Sequence, residues 1–331
     1  MIDMLSESPV AFAILAGILG LLVGSFLNVV VHRLPRRMEY EWRREARLVL
    51  AEQAAPTGTG ATQATDTPGT EGAPADAKHG ADAKHGADAK QGAGEHDDAQ
   101  DPPGLIHPRS QCPHCGHGIT ALENIPLLSY AWLRGRCSAC GARISVRYPA
   151  VELLTGVLSA AAAWWFGFGV AAGGALLLTW ALVALTFLDL DTMQLPDVIT
   201  LPFLWLGLTF NLFAVYTDLE SAVIGAMVGY LTLWLVFHGF KLLTGKEGMG
   251  YGDFKLLALL GAWQGWAALP VVILLASLVG AVVGVTMILA RGHDRNVPIP
   301  FGPYLAAAGW LALLWGPSIT RAYLGFAAGS A

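Results

Sequence analysis

Two groups of residues in the sequence have types and spacings suited to chemistry, and the first is a set of carboxylates beside apolar segments. Asp189, Asp191 and Asp197 follow one apolar run, and Asp253 stands in a glycine-rich stretch before another. Acids at the edge of a bilayer are costly and are usually functional. Two carboxylates that share a water can hydrolyse a peptide bond, because one takes a proton from the water while the other polarises the scissile carbonyl.

The four acids do not have equal standing. Asp189 is only modestly favoured over Asp191, because it is nearer the apolar helix; Asp191 is either a supporting partner or a solvated loop acid. Asp197 follows a proline at a predicted helix start, where a role as N-cap is favoured over catalysis. Asp253 stands alone in its loop, and the glycines around it permit close approach by a substrate strand.

The second group consists of the only four cysteines in the chain, which form two CxxC pairs with 21 residues between them. These are Cys112, Cys115, Cys137 and Cys140. Two such pairs predict a structural zinc site with four thiolate ligands. Gly116 and Gly141 follow the pairs and allow tight turns around the metal. Disulfides are the alternative, but a cytoplasmic position disfavours them, and a redox dithiol would need no second pair.

The elements that must position these groups are membrane helices. The chain has 331 residues, of which 54% are hydrophobic and 14% charged, whereas soluble domains carry about 25% charged residues. The first apolar run, 10–31, has no positive residues before it and suits a full span, so we expect it to be retained. The net charge of −5 without a basic stripe predicts no binding to nucleic acid.

Division of the apolar segments predicts about eight spans. The segments are 10–31, 151–188, 198–217, 221–243, 256–290 and 303–316. As one helix, 151–188 would extend about 57 Å, against a hydrocarbon core of about 30 Å. Glycines at 167–169 and at 265 are natural reversal points within the two longest segments. The fold class predicted is therefore an all-α polytopic membrane protein with a small zinc-binding cytoplasmic domain between helices 1 and 2.

The distribution of basic residues sets the predicted orientation. With eight spans, the basic clusters all face the cytoplasm, as the positive-inside rule requires. They are Arg33, Arg36, Arg37, Arg43, Arg44 and Arg47; Arg134, Arg136, Arg143 and Arg147; Lys241, Lys246 and Lys255; Arg291 and Arg295. The same topology places both Asp189 and Asp253 at cytoplasmic membrane ends, although they are far apart in sequence.

The predicted domain organisation has three parts. Residues 1–35 form the first transmembrane helix, 36–150 the cytoplasmic domain, and 151–331 the membrane domain with about seven helices. Within the cytoplasmic domain, 107–148 is the four-cysteine zinc module, and 52–103 is an insertion expected to be disordered because it has little to bury. The insertion repeats Ala-Asp-Ala-Lys-His-Gly. We interpret its histidines as part of a linker, not as a metal-binding tract: His79, His85 and His96.

In combination these motifs resemble the type IV prepilin peptidases, which are GxGD aspartic proteases. The resemblance rests on 250–255, on 189–197, on 24–35 at the end of the first span, and on 123–130 between the CxxC pairs. It covers nearly the whole chain apart from about 50–104. The GxGD pattern alone would be weak, because presenilin-like proteases also use it.

The resemblance implies a bifunctional enzyme of the bacterial inner membrane with its active site facing the cytoplasm. Such enzymes cleave the basic leader of type IV prepilins and type II secretion pseudopilins, then methylate the new N-terminus with S-adenosylmethionine. It assigns catalysis to Asp189 and Asp253 and the cysteines to zinc. Supporting positions near the active site are Asp191, Asp197, Gly250, Gly252 and Lys255, and candidates for methyl transfer are Glu123 and Gly135.

Three alternatives stay open. A presenilin-like intramembrane protease would cleave within a span and would not require four cysteines in a soluble loop. A non-enzymatic ion-coupled carrier would place its acids near the middle of the membrane on discontinuous helices. A redox membrane protein could be built on the two CxxC pairs, and one tightly bound zinc ion would disfavour it.

Overall fold

The chain is described here by a computed structural model that covers residues 6–54, 104–105, 109–246, 248–291 and 299–327. In these ranges it contains nine α-helices and a 3-10 turn. The helices are α1 Pro9–Ala54, α2 Leu128–Trp132, α3 Arg147–Phe166, α4 Val170–Thr192, α5 Asp197–Asn211, α6 Leu219–Thr244, α7 Tyr251–Gln264, α8 Leu269–Arg291 and α9 Gly302–Ala327. Extended pairing over the same ranges is limited to two isolated bridges beside the cysteines. The all-α prediction is confirmed.

The helices are those of a multi-pass membrane protein. Five segments are long and apolar enough to cross a bilayer, and α5 is a shorter apolar helix. The five are Pro9–Leu50, Arg147–Phe166, Val170–Thr192, Leu219–Thr244 and Trp266–Met287. Both expected breaks in the long apolar segments are confirmed, because helices end at Gly167 and Gly265, whose φ values of 65° and 79° favour glycine. The total of eight spans and their orientation stay predictions.

Small residues allow α1 and α3 to pack closely. A Cβ added to Gly20 would lie 2.7 Å from the Cβ of Ser159, and one added to Gly24 would lie 2.8 Å from the Cα of Glu152. Close approach of backbones across small residues is a common basis for helix association in membranes. The first helix is therefore held against the third at a defined register.

Helix α7 forms the centre of the bundle. Its residues from Asp253 to Trp263 are buried except for Lys255, and it packs against α5, α6 and α9. A Cβ at Gly229 of α6 would lie 2.7 Å from the carbonyl oxygen of Leu257, so these two helices touch through their backbones. This packing determines where the start of α7, and with it Asp253, lies relative to the neighbouring helices.

Asn211 joins the ends of α5 and α7 that lie farthest from the acids. Its Nδ2 donates to the carbonyl oxygens of Ala262 and Trp263 at 2.9 and 3.0 Å, and its Oδ1 accepts from the N–H groups of Tyr216 and Thr217. Backbone groups at membrane depth must find partners within the protein. One buried amide therefore satisfies four such groups where two helices end.

The end of α1 differs from the predicted boundary of the insertion. Residues 52–54, which the sequence assigned to the disordered insertion, belong to the last turn of α1. Residues 36–50 are mostly exposed and carry ion pairs one helical turn apart, Arg37 with Glu41 and Glu39 with Arg43. Residues 55–103, including the repeats and their histidines, lie outside the described residues. The predicted domain boundaries and disorder therefore stay predictions.

Candidate functional site

Asp189 and Asp253 meet at one end of the helical bundle. Asp189 lies in the last turn of α4 and Asp253 in the first turn of α7, and each residue is 5% exposed. Both acids lie near Leu195, because Gly252, beside Asp253, and Gly302, which bonds Asp189, lie against its side chain. Buried carboxyl groups in such proximity can share a proton, which is the condition for hydrolysis by an aspartate pair.

The start of α9 supplies a third component, Gly302, which the sequence reasoning missed. Its N–H donates to Oδ2 of Asp189 at 3.0 Å within the buried site. A Cβ at this position would lie 2.6 Å from the same oxygen, so only glycine allows this approach. The glycine–proline pair at 302 and 303 signals a turn before a helix. That signal could have marked the position but not its partner.

Leu195 packs beneath the acids, between two glycines. A Cβ on Gly252 would lie 2.7 Å from the Cβ of Leu195, and one on Gly302 would lie 3.3 Å from its Cδ1. Gly250 precedes α7, and its carbonyl oxygen accepts from the N–H of Asp253 at 3.3 Å. The absence of a side chain at Gly252 thus lets α7 begin directly against the connection between α4 and α5.

Asp191 and Asp197, the two other acids that follow the apolar part of α4, form ion pairs. Both carboxylate oxygens of Asp197 accept from Nζ of Lys255, at 2.6 and 2.7 Å. The expectation that Asp197 is an N-cap is wrong: it is the first residue of α5, its cap position is Pro196, and no side chain caps this helix. The ammonium group of Lys255, in α7, binds the carboxylate in place of the backbone N–H groups that a cap would bind. This ion pair joins the start of α5 to the start of α7.

Asp191 lies in α4, so it is not a loop acid, and it pairs with a residue that sequence reasoning did not assign to the site. Its Oδ2 lies 2.6 Å from a guanidinium nitrogen of Arg147, whose guanidinium carbon also lies 5.4 Å from the centre of the Phe187 ring. This pair joins the end of α4 to the start of α3. Asp191 and Asp197 therefore flank the buried acids, each held by a cation.

The four cysteines form one cluster. Their sulfur atoms all lie within 4.8 Å of one another, with 3.8 Å between Cys112 and Cys140 and 4.0 Å between Cys115 and Cys137. A tetrahedral zinc site with bonds of about 2.3 Å has sulfur–sulfur edges of about 3.8 Å. All four are free thiols rather than disulfides. The donor set and its spacing therefore fit a metal ion with four thiolate ligands.

The backbone of each CxxC pair folds into the same turn. The N–H of Gly116 donates to the carbonyl of Cys112, and that of Gly141 to the carbonyl of Cys137, both at 2.9 Å. Both glycines have φ of 71°, as the prediction of tight turns requires. The N–H of His114 is the main cause that lowers the pKa of Cys112 to about 7.

Glu123 connects the two CxxC turns. Its carboxylate accepts from the N–H and hydroxyl of Thr120 at 2.8 and 2.9 Å, from the hydroxyl of Ser138, and contacts His117 at 3.4 Å. The hydroxyl of Ser138, followed by Thr120, lowers the pKa of Glu123 from 4.5 to about 2. These bonds stabilise the module above pH 4.5 and are lost as the pH falls toward 2.

Gly135, the other candidate for methyl transfer, is also part of the framework of the module. Its φ of 67° favours glycine, and a Cβ would lie 2.8 Å from the hydroxyl oxygen of Tyr130. Its carbonyl accepts from the N–H of Ile144 at 2.8 Å. The structure thus places both candidates in the cysteine module, beside residues that hold its shape.

Comparison with known proteins gives a consistent result across the chain. A family described as "Bacterial Peptidase A24 N-terminal domain" matches residues 18–166, and the "Type IV leader peptidase family" matches residues 176–285. The chain is similar to curated proteins named prepilin leader peptidase/N-methyltransferase. The one from Aeromonas hydrophila is 54% identical over 317 residues, which are 96% of this chain and 95% of the relative.

Two further relatives carry the same name. The protein from Pseudomonas aeruginosa is 51% identical over 327 residues, which cover 99% of this chain and 98% of the relative. The protein from Xanthomonas campestris is 45% identical over 309 residues, which cover 93% of each chain. No solved structure matches the chain.

Proposed function

The chain belongs to the type IV leader peptidase family, and we propose that it cleaves the basic leader of type IV prepilins and type II secretion pseudopilins. We further propose that it then methylates the new N-terminal residue with S-adenosylmethionine. The observation that carries the proposal is the meeting of two buried carboxyl groups, Asp189 and Asp253, from different helices at one end of the bundle. The relatives' name supports both activities.

The proposed cleavage uses the two acids in different roles. We assign the ionised role to Asp189, because the N–H of Gly302 donates to its Oδ2 and an N–H donor stabilises negative charge. Asp189 takes a proton from water, the water oxygen attacks the scissile carbonyl carbon, and protonated Asp253 donates its proton to the carbonyl oxygen. As the C–N bond breaks, the proton on Asp189 passes to the leaving amine and Asp253 recovers its proton.

The ion pairs around the acids support a site at the cytoplasmic face of the inner membrane. Arg147 and Lys255 lie at the same end of the bundle as the acids, because they pair with Asp191 and Asp197. Cytoplasmic membrane ends are enriched in such cations. A basic leader that remains in the cytoplasm would then be presented at the end of the bundle that carries the acids.

The cysteine cluster would hold a structural zinc ion through Cys112, Cys115, Cys137 and Cys140. With four protein ligands such a site is closed, so the ion contributes folding energy and leaves no position for substrate. We propose that methyl transfer depends on this module. Glu123 and Gly135 would support it by positioning, since one links the two CxxC turns and the other lets the chain pass Tyr130.

Cleavage is tested with purified enzyme and a prepilin. Asp189→Asn and Asp253→Asn should each reduce cleavage at least about 100-fold, because each removes a carboxyl group that moves a proton. The matched control is Asp218→Asn. Asp218 caps α6 by accepting from the N–H of Ser221 at 2.7 Å, and asparagine caps equally well. Full cleavage by either of the first two variants would remove that residue from the mechanism.

Methyl transfer is tested separately on the same product. Mass spectrometry of the cleaved pilin should show one added methyl group on the N-terminal residue when S-adenosylmethionine is present, and none without it. A preparation that cleaves but never methylates would contradict the second activity and leave the first intact.

A further inference from the structure

Among the described residues, the cysteine module carries apolar side chains that are exposed on its surface. They are Leu122, Ile125, Leu128 and Trp132, which we call the apolar ridge; their exposed fractions are 77%, 38%, 69% and 88%. Leu128 and Trp132 are four residues apart on α2 and therefore share one helical face. Together with Glu123, Ser129 and Leu133 the ridge lines one continuous concavity. Contiguous exposed apolar surface of this kind marks an interaction site.

A buried acid joins the ridge to a membrane-spanning helix. The N–H of Leu127 donates to Oε2 of Glu152, which is 9% exposed and lies in the second turn of α3. Leu127 has φ of 58°, an unfavourable value for a residue with a side chain. This backbone, in the middle of the ridge, is therefore held against the start of a helix that crosses the bilayer.

One further hydrogen bond joins the same segment to the first helix, and another joins that helix to the start of α3. The hydroxyl of Ser25 donates to Oδ1 of Asn124 at 3.5 Å, and Nδ2 of Asn28 donates to the carbonyl of Tyr148 at 3.1 Å. Ser25 and Asn28 lie inside the apolar span of α1, near its polar end. The ridge therefore lies beside the polar end of the apolar part of α1.

We propose that the apolar ridge inserts into the interfacial layer of the bilayer, so that lipid is the partner of this surface. Tryptophan and leucine at headgroup depth are favoured partners of that layer. Exposed cations flank the ridge in the same module and match anionic headgroups: Arg134, Arg136 and Arg143. The single acid between residues 122 and 143, Glu123, already binds Thr120 and Ser138.

This docking would give the module a fixed height above the acids at the membrane. The hydrogen bonds to Ser25 and Glu152 hold one side of the segment, and insertion of Trp132 and Leu128 would hold the other. The proposal concerns the surface alone, and it holds whether or not the cleavage and methylation proposed above are correct.

The test uses the full chain in nanodiscs of phosphatidylethanolamine and phosphatidylglycerol. A benzophenone-bearing amino acid is placed at position 128 or 132, and in a matched control at position 114, which is exposed in the first CxxC turn. Illumination should give several-fold more lipid adduct from 128 and 132 than from 114. Mass spectrometry identifies the adducts.

Two outcomes would overturn the proposal. One is a lipid yield from 128 and 132 no higher than that from 114. The other is a main adduct with protein, either a second copy of the chain or an added prepilin, which would make the ridge a protein-docking surface. If the bulky label prevents folding, Trp132→Phe replaces it. The tryptophan emission that wild type has and the variant lacks comes from Trp132, and lipids brominated near the headgroup should quench it. An unquenched difference would equally contradict lipid contact.

Discussion

The cysteine module, which holds Cys112, Cys115, Cys137 and Cys140, is assembled in the opposite way from the aspartate site, which consists of Asp189, Asp253 and Gly302. All four sulfur atoms of the module come from residues 112–140, and each half repeats one backbone turn with glycine at φ of 71°. The aspartate site takes Asp189 from α4, Asp253 from α7 and the N–H of Gly302 from α9, and the last of these is 113 positions from Asp189. One site is a local motif and the other is a property of the packed bundle.

This contrast predicts which changes each site can tolerate. The module depends on a few short-range turns and on its four cysteines, so damage there should stay within it. The aspartate site depends on helix packing, since α7 is buried along most of its length between its neighbours. We therefore expect the two proposed activities to be separable by mutation, and the following changes test that separation.

The largest effect is expected at Gly302. Gly302→Ala should lower cleavage by at least about 100-fold, because the added Cβ would approach Oδ2 of Asp189 to 2.6 Å and displace it. Metal content of the module should be unchanged. The measurement is initial cleavage rate together with metal analysis of the same preparation.

Gly316→Ala is the matched control for that change, in the same helix. A Cβ there would meet only the Cβ of Ala312 at 3.8 Å, an ordinary contact. Wild-type cleavage by Gly302→Ala, or an equal loss in both variants, would contradict the close approach of α9 to the acid.

A smaller and more selective effect is expected from Cys112→Ser. Removal of one thiolate should release the metal and make the segment around 109–146 sensitive to protease, because a structural site contributes directly to folding. Methylation should be lost while cleavage falls only a few-fold. Metal analysis, limited proteolysis and mass spectrometry of the product measure the three effects.

His114→Ala serves as the control for the cysteine variant. His114 lies in the same turn but contributes no sulfur, so metal and both activities should persist. If Cys112→Ser abolished cleavage as fully as Asp253→Asn, the module and the aspartate site would form one functional unit and could not be separated by mutation.

The smallest effect is expected from the insertion. Replacement of residues 55–103 by a Gly-Ser linker of about 15 residues should leave cleavage and methylation unchanged. That length suffices to return along the roughly 29 Å of helix that follows Pro35. The assay is the same paired measurement of cleavage and methylation. Loss of either activity would give these residues a role that their composition does not predict.

Sequence alone predicted what depends on nearby residues. The CxxC spacing was sufficient for the cysteine cluster, and glycine marked the helix ends at Gly167 and Gly265, because backbone angles and short turns are local properties. From the distribution of basic residues, the sequence also predicted that Asp189 and Asp253 lie at the same end of the bundle. These predictions needed no knowledge of which helices touch.

The remainder depended on tertiary partners. Asp197 was expected to cap a helix, but Lys255, 58 positions away, provides a stronger partner. Nothing around Gly302 signalled that its N–H would reach Asp189, since a pairing across 113 positions depends on how α9 packs. The same holds for Glu152, whose partner at Leu127 lies in another part of the chain.

One contact at the end of the first span bears on how this chain can vary in length. A guanidinium nitrogen of Arg33 donates to the carbonyl of Gly104 at 2.7 Å, so the chain leaves and returns at nearly the same point. The entropic cost of closing a segment rises only with the logarithm of its length, by about 0.6 kcal/mol for each doubling. Arg33 and Gly104 thus mark the two ends of a segment that can gain or lose whole repeats with little change in the free energy of folding.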